Sequence, residues 1–176
     1  MGEGEMGSWG DARWGGKRCG LHFNIEHMIT IRKANQTDAD AIIEFQLKMA
    51  WETEEFELNK QTVTKGVNAV FADQSRGQYY VADDDGTVVA SLLITYEWSD
   101  WRNCSVWWFQ SVYVIPEYRR RGVFRNMYGH IKHLAEKQDI AGLRLYVETK
   151  NSRAQKTYEA LGMSSEHYSF YEWMRK

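Results

Sequence analysis

The sequence is poor in the residues that build disulfide scaffolds and disordered chains. Its two cysteines, Cys19 and Cys104, lie far apart and in no Cys-x-x-Cys pattern. This excludes a small secreted fold held by disulfides and is typical of the reducing cytoplasm, where we expect the protein to be located. Proline occurs once, whereas 43% of the 176 residues are hydrophobic and 14% are aromatic. Such a composition predicts one domain with a buried core.

Long apolar runs, a charge excess and clustered metal ligands are missing as well. No apolar run approaches the roughly 20 residues that span a bilayer, and the N-terminus carries no stretch typical of a secretory signal. The formal net charge is -2, too close to neutral to favour nucleic acid as the main partner. His130 and His133 are three residues apart, but no carboxylate or cysteine stands in a suitable register. We therefore expect no membrane or nucleic-acid partner and no metal ion.

Residues 1–27 differ from the rest of the chain. They are rich in glycine, and Trp9 and Trp14 stand among scattered charges without a periodic pattern. We predict that residues 1–27 are a flexible leader, from an upstream start codon or a cloning vector, and that residues 28–176 form the domain. Met28 is the better candidate for the native start.

The remaining residues alternate between strand-like and helical patterns. Strands are predicted at 29–32, 79–82, 88–96, 106–114, 143–147 and 168–173. Helices are predicted at 39–51, 61–71, 122–138 and 152–161, the first of them preceded by the capping residues 35–38. The order of these elements predicts an α/β (α+β) fold, in which helices flank both faces of a mixed, mostly antiparallel sheet.

The most informative segment is the basic loop that follows the strand predicted at 106–114. Pro116 ends the strand, three arginines follow, and Gly122 opens a long helix. The N-terminus of a helix leaves backbone N–H groups unpaired and is the positive end of the helix dipole, so it binds phosphate groups well. Gly122 lets the backbone approach the phosphate oxygens. We interpret the junction as a diphosphate site to which positive charge is added by Arg119, Arg120, Arg121 and Arg125.

A solvated basic turn before a helix is the plainer alternative. The order of strand, proline, basic loop, glycine and helix favours the anion site. The segment is not a Walker loop, because no Gly-Lys-Ser/Thr follows, and it is not a Rossmann turn, because the three spaced glycines are missing. From the residues alone, both interpretations stay open.

This segment resembles the acetyl-CoA signature of the GNAT N-acetyltransferase superfamily. Residues 114–123 read Val-Ile-Pro-Glu-Tyr-Arg-Arg-Arg-Gly-Val, against the family pattern Val-x-Pro-x-Tyr-Arg/Gln-x-x-Gly-x-Gly/Ala. Phe124 departs from the pattern, since it stands where the family has glycine or alanine, although its backbone N–H can still donate. A second segment, from Asn151 through Ala154 and Tyr158 to Met163, resembles the family's second signature. The resemblance extends from about Met28 to the end of the chain.

The resemblance implies that acetyl-CoA binds beside a splayed pair of central strands. In GNAT proteins, the strand before the diphosphate loop separates from its neighbour, and the pantetheine arm pairs with the exposed backbone. By resemblance, the Val112 N–H binds the acetyl oxygen, Tyr158 protonates the leaving thiolate and Asn151 lies near the pantetheine. The residues expected to bind acetyl-CoA are Val112, Tyr113, Val114, Arg119, Arg120, Arg121, Gly122, Val123, Phe124, Arg125, Asn151, Ala154 and Tyr158.

The sequence says less about the general base and the acceptor site. Glu97 is our candidate base, with the glutamates near the end of the first helix as alternatives, and a solvated surface role is the alternative for each. Four glutamates in residues 52–57 favour a cationic acceptor, and a charged helix end without a substrate role is an equal alternative. Aromatic rings beside carboxylates can surround an ammonium group, although such clusters also form cores or subunit interfaces. The acceptor contacts that we expect are Glu52, Glu55, Trp98 and Gln110.

We therefore expect an N-acetyltransferase that moves an acetyl group from acetyl-CoA to the primary amine of a small cationic molecule, by direct attack in a ternary complex. Three alternatives stay open: acetylation of a protein lysine or N-terminus, a non-catalytic CoA-binding domain, and a nucleic-acid-binding module. The balanced net charge argues against the last of these. The oligomeric state also stays open, with a homodimer as one expectation.

Overall fold

The structure is a computed structural model and describes residues 29–175 of the chain. The leader predicted at 1–27, Met28 and Cys19 lie outside the described residues. Among the residues that are described, no helix is long and apolar enough to cross a membrane. The same residues contain no group of three histidine, cysteine or acidic side chains that could hold a metal ion.

A five-stranded sheet forms the centre of the described chain. Its strands lie side by side in sequence order, antiparallel from the first to the fourth, while the fifth runs parallel to the fourth. The predicted mixed, mostly antiparallel sheet is therefore confirmed. The strands are β1 Thr30–Lys33, β2 Gln78–Asp84, β3 Thr87–Ser99, β4 Cys104–Val114 and β5 Gly142–Arg144.

Helices cover both faces of the sheet, because each of the first three helices presents one apolar stripe to it. On one face, Ile42 and Ile43 of the first helix and Val67 of the second pack against Val81. On the other face, the third helix packs its stripe, which includes Met127, against the sheet. The helices are α1 Ala39–Glu54, α2 Lys60–Ala72, α3 Val123–Lys137 and α4 Ser152–Ala160.

An ion cluster fixes the start of α1 to the sheet edge. Asp38 is 5% exposed, and its two oxygens accept hydrogen bonds of 2.8 and 2.9 Å from the Arg32 guanidinium. Arg32 also pairs with Asp83 of β2 at 2.7 Å. The Asp38 carboxylate accepts a further bond from the Asn35 N–H, which completes a capping box.

A bulge interrupts β4 beside the loop predicted to bind diphosphate. Ser91 pairs with Tyr113 and Leu93 with Gln110, so two residues of β4 lie opposite one residue of β3. Ser111 adopts a left-handed φ of 51° at this point. Phe109 stacks on Tyr128 of α3, whereas Tyr113 packs against Phe45 of α1.

The fourth and fifth strands separate soon after they meet. Their parallel pairing covers three positions, from Val106–Gly142 to Trp108–Arg144, although β4 continues to Val114. The prediction of a splayed strand pair agrees with this arrangement. The strand predicted at 143–147 is shorter than expected, because the chain leaves β4 after Arg144.

The strand predicted at 168–173 is wrong, because the structure has no strand in this segment. Its alternating aromatic residues favour an extended chain, but a strand also needs a neighbouring backbone to pair with. The contacts to the rest of the chain are made by rings instead: Phe170 stacks on Tyr146 at 5.3 Å, and Arg144 lies over Tyr168 at 5.8 Å. β5 is therefore an edge strand within the described residues.

Candidate active site

A cavity of about 630 Å³ lies where β4, the basic loop, α3 and α4 meet. The end of α1 closes one side of it through Met49, Glu52 and Thr53. Every residue that we predicted to bind acetyl-CoA lines this cavity, with the exception of Arg121. Arg121 instead lies over the ring of Tyr118, with 5.0 Å between the guanidinium carbon and the ring centroid.

The basic loop delivers the backbone to this cavity in a form that suits an anion. Pro116–Tyr118 form one turn of 3-10 helix, and Gly122 then precedes α3 with a φ of 79°. This left-handed conformation favours glycine, because a Cβ would crowd the following carbonyl. Gly122 has no side chain to cap α3, so the N–H groups of its first turn stay available to a ligand.

Arg119 is held tightly at the edge of the cavity. Its Nε donates to the Val114 carbonyl at 2.8 Å, and one terminal nitrogen donates to Glu52 at 2.6 Å. The guanidinium lies 5.3 Å from the centre of the Tyr113 ring, and the Tyr113 hydroxyl donates to Glu52 at 2.6 Å. Burial, followed by the bond to Glu52, raises the pKa of Tyr113 to about 12, so its hydroxyl stays protonated as a donor.

Tyr158 projects from α4 into the same cavity. Its ring meets Phe124 edge to face, with 5.6 Å between ring centroids. Phe124, the residue that departs from the family pattern, therefore packs beside the predicted proton donor. Burial raises the pKa of Tyr158, which keeps the phenol protonated at neutral pH, the state that a proton donor requires.

Asn151 lines the cavity and also starts α4. Its side-chain oxygen accepts a 3.0 Å bond from the Ala154 N–H, the usual contact of an N-cap residue. This bond fixes the first turn of α4. Since Ala154 and Tyr158 are four residues apart on one helix, the cap also fixes the direction in which the tyrosine leaves the helix.

Glu97 lies outside the cavity lining, in a polar cluster on β3, β4 and β5. It accepts hydrogen bonds from the Trp108 indole and from Arg144, the latter at 2.6 Å. The indole bond and the Arg144 guanidinium outweigh partial burial and lower the pKa of Glu97. A carboxylate with a lowered pKa is a weaker proton acceptor, so Glu97 must lose one of these partners before it can serve as a base.

The other predicted acceptor residues are not brought together. Gln110 accepts a 2.7 Å hydrogen bond from the Tyr146 hydroxyl and lies beside the Glu97 cluster on β4. Trp98 is 63% exposed, and because it follows Glu97 in a regular strand it faces the opposite side of the sheet. Glu55 is exposed at the C-terminus of α1, and Glu52 contacts the basic loop instead of an open acceptor surface.

The family assignment rests on a match across most of the domain. The family model described as "Acetyltransferase (GNAT) family" matches residues 40–163. The chain belongs to the GNAT acetyltransferase family.

Solved structures of GNAT-like proteins agree with this assignment. A possible acetyltransferase from Clostridium difficile 630 is 45% identical, with a TM-score of 0.79, and the match covers 85% of this chain and 99% of that one. A predicted acetyltransferase with acetyl-CoA from Clostridium acetobutylicum is 18% identical, with a TM-score of 0.65 over 85% of this chain and 96% of that one. AAC(6')-Iy in complex with the bisubstrate analogue CoA-S-monomethyl-acetylneamine is 16% identical, with a TM-score of 0.67, and the match covers 85% of this chain and 99% of that one. At 18% and 16% identity, the last two show the fold alone. No curated protein matches the chain.

A second cavity, lined by basic residues and adjoining the first, was missed by sequence reasoning. It encloses about 490 Å³ between the start of α3 and α4 and shares Arg125, Arg153 and Thr157 with the first cavity. Lys156 adds a third cation, and within the described part of the chain no acidic side chain lines it. Arg153 and Lys156 lie inside the second GNAT signature, and their spacing of three on a helix is the signal that sequence reasoning overlooked.

Proposed function

We propose that this protein is an acetyl-CoA-dependent N-acetyltransferase that acts on the primary amine of a small cationic molecule. The observation that carries the proposal is a single cavity that brings together the basic loop, the bulged end of β4 and Tyr158. A helix N-terminus and arginines suit a diphosphate, a disrupted strand edge suits the amide groups of pantetheine, and a protonated phenol suits a leaving thiolate.

In this proposal, the chain's own groups divide the work of acetyl transfer. The diphosphate of acetyl-CoA lies against the first turn of α3 and the arginines of the basic loop. The pantetheine arm extends along residues 112–114 of β4, so that the Val112 N–H donates to the acetyl oxygen as negative charge develops there. Arg121 contributes long-range charge, since it lies outside the cavity lining.

The chemistry is a direct transfer in a ternary complex. The neutral amine attacks the thioester carbonyl carbon, a C–N bond forms and the C–S bond breaks. The amine proton goes to a base, for which Glu97 stays our candidate once a partner is released, and the Tyr158 hydroxyl gives its proton to the thiolate. The products are an acetamide and CoA.

A cationic acceptor is favoured by the acidic segment that covers the last turn of α1 and the start of the loop after it. Glu54, Glu55 and Glu57 are exposed there, whereas the charge of Glu52 is balanced by Arg119. Exposed carboxylates raise the local concentration of cations. The acceptor contacts of Glu55, Trp98 and Gln110, like a homodimer and a cytoplasmic location, stay predictions.

Thermal-shift and turnover assays test the proposal directly. Acetyl-CoA should raise the melting temperature in a concentration-dependent manner, because a ligand that binds the folded state stabilises it. A panel of polyamines, aminoglycosides, lysine-like amines and peptides should then show acetylation of small cationic amines. Exclusive turnover of peptides would favour the protein-acetylating alternative, and binding without turnover would favour a non-catalytic CoA-binding domain. The enzymatic proposal fails if neither acetyl-CoA nor CoA stabilises the protein.

The second basic cavity predicts that the protein distinguishes CoA from dephospho-CoA, which lacks the phosphate on the ribose. Replacing Arg153 and Lys156 together with alanine should weaken CoA binding about tenfold, because two exposed charge-assisted contacts to that phosphate are lost. Calorimetric titration gives the dissociation constants. The affinity of the variant for dephospho-CoA should stay close to that of the unmodified protein.

The control variant removes a positive charge from α3, away from both cavities. Lys132 is exposed on α3 and lies outside both cavities, so Lys132→Ala should leave both affinities unchanged. An equal loss of affinity for CoA and dephospho-CoA in the double variant would contradict a phosphate site in this cavity.

A further inference from the structure

Glu52 makes contacts that its neighbours in the acidic segment do not share. It lies in the last turn of α1, and its two oxygens accept hydrogen bonds of 2.6 Å from the Tyr113 hydroxyl and from Arg119. Both partners line the cavity, as Glu52 does. The three side chains therefore join α1, β4 and the basic loop at one point.

We propose that Glu52 is a positioning residue of the diphosphate site, which holds the Arg119 guanidinium at the cavity and fastens the end of α1 to the basic loop. This inference rests on the proposed binding of acetyl-CoA. It replaces the direct acceptor contact that the sequence predicted for Glu52 with an indirect role through Arg119.

The surroundings make this cluster firm enough to position a side chain. Tyr113 is 4% exposed and packs against Phe45 of α1, so its hydroxyl presents a fixed donor to Glu52. Arg119 is bound on a second side by the Val114 carbonyl and lies against the Tyr113 ring. Partial burial opposes ionisation of Glu52, but the bonds from Tyr113 and Arg119 outweigh it and lower the pKa of Glu52. The carboxylate is therefore charged at neutral pH.

Arg119 can still serve the ligand while it is held. A guanidinium has five N–H donors, and the contacts to Val114 and Glu52 use one on Nε and one on a terminal nitrogen. Three N–H donors remain on the terminal nitrogens, and a phosphate oxygen can accept from those that do not face the Tyr113 hydroxyl. Without Glu52, the long arginine side chain would regain rotamer freedom, which the ligand would have to remove on binding.

Two effects of removing Glu52 oppose each other, and a double-mutant cycle separates them. Loss of positioning weakens CoA binding, whereas loss of a negative charge near the diphosphate strengthens it. The positioning effect requires Arg119, but the repulsion does not. The dissociation constant for CoA is measured by calorimetric titration for the unmodified protein, Glu52→Gln, Arg119→Ala and the double variant.

If the inference holds, Glu52→Gln weakens CoA binding about tenfold, and the same change made in the Arg119→Ala variant causes no further loss. Glu44→Gln is the control, since Glu44 lies on the same helix and accepts a 2.6 Å bond from Lys60, away from the cavity. That variant should bind CoA like the unmodified protein. Melting temperatures of all variants confirm that they fold.

Turnover with the best amine of the panel provides a second measurement. For a positioning residue, Glu52→Gln raises the KM for acetyl-CoA about tenfold and leaves kcat at saturating acetyl-CoA within about twofold. Equal or tighter CoA binding by Glu52→Gln, or an additional loss in the Arg119→Ala background, overturns the inference alone. If the unmodified protein binds no CoA, the proposed function fails as well.

Discussion

Replacing Tyr158 with phenylalanine should lower kcat for acetyl transfer by about 10²- to 10⁴-fold, the range typical of losing a general acid. The change removes only the hydroxyl, which is the proposed proton donor to the CoA thiolate. The ring stays, and with it the edge-to-face contact to Phe124 at 5.6 Å. The affinity for CoA should therefore change little. Steady-state kinetics with the best amine and calorimetric titration with CoA give the two quantities.

Tyr128→Phe is the matched control for this change. Tyr128 also packs against Phe124, at 6.4 Å, but it lies in the core on α3 and does not line the cavity. The kcat of the Tyr128→Phe variant should stay near that of the unmodified protein. An unchanged kcat in Tyr158→Phe would exclude the proton-donor role, and a parallel loss of CoA affinity would point to binding instead of catalysis.

Replacing Asp38 with asparagine should lower the free energy of unfolding by about 3 kcal/mol at pH 7, because it leaves Arg32 without its main charged partner in a partly buried site. Asparagine also places an amide donor against guanidinium donors. Chemical denaturation at neutral pH measures the difference. Asp40→Asn, an exposed position in the first turn of α1, should cost only a few tenths of a kcal/mol.

The effect at Asp38 should depend on pH in a defined direction. The hydrogen bonds from Arg32, opposed by burial and supported by the Asn35 N–H, lower the pKa of Asp38 below its ordinary value of 3.8. A carboxylate with a lowered folded-state pKa stabilises the fold above the unfolded-state pKa, and the stabilisation is lost as the pH falls through the folded-state pKa. The difference between Asp38→Asn and the unmodified protein should thus be full at neutral pH and shrink below about pH 4. A difference that stays constant down to pH 2 would contradict the ionic origin.

Local sequence patterns predicted most of the fold, because periodicity reports which side of an element is buried. The four helices, the hairpins from β2 to β4 and the basic loop were all recognisable in this way. The aromatic alternation at 168–173 misled the same reasoning, since period two describes an extended chain and not the presence of a neighbour to pair with. Whether a partner backbone is adjacent depends on tertiary structure.

The cofactor side of the site was more predictable than the acceptor side. A strand, a loop and a helix N-terminus are contiguous in sequence, so their shared role can be read from one segment. Glu52 and Arg119 are 67 positions apart in the sequence, and no local pattern reports a contact between them. The orientation of Trp98, by contrast, follows from strand alternation: it has to face away from Glu97.

The bulge in β4 determines how the strand would respond to the deletion of one residue. Phe109 and Tyr113 are four positions apart, yet one contacts α3 and the other contacts α1, so the strand reverses its inside and outside at Ser111. Deleting that single residue would make the strand regular, with Val112 opposite Leu92 and Tyr113 still opposite Ser91. Tyr113 would then stay beside Glu52, and the valines after the bulge would stay on the α3 side. The deletion would remove only the extra residue and the bend that it introduces into β4 beside the basic loop.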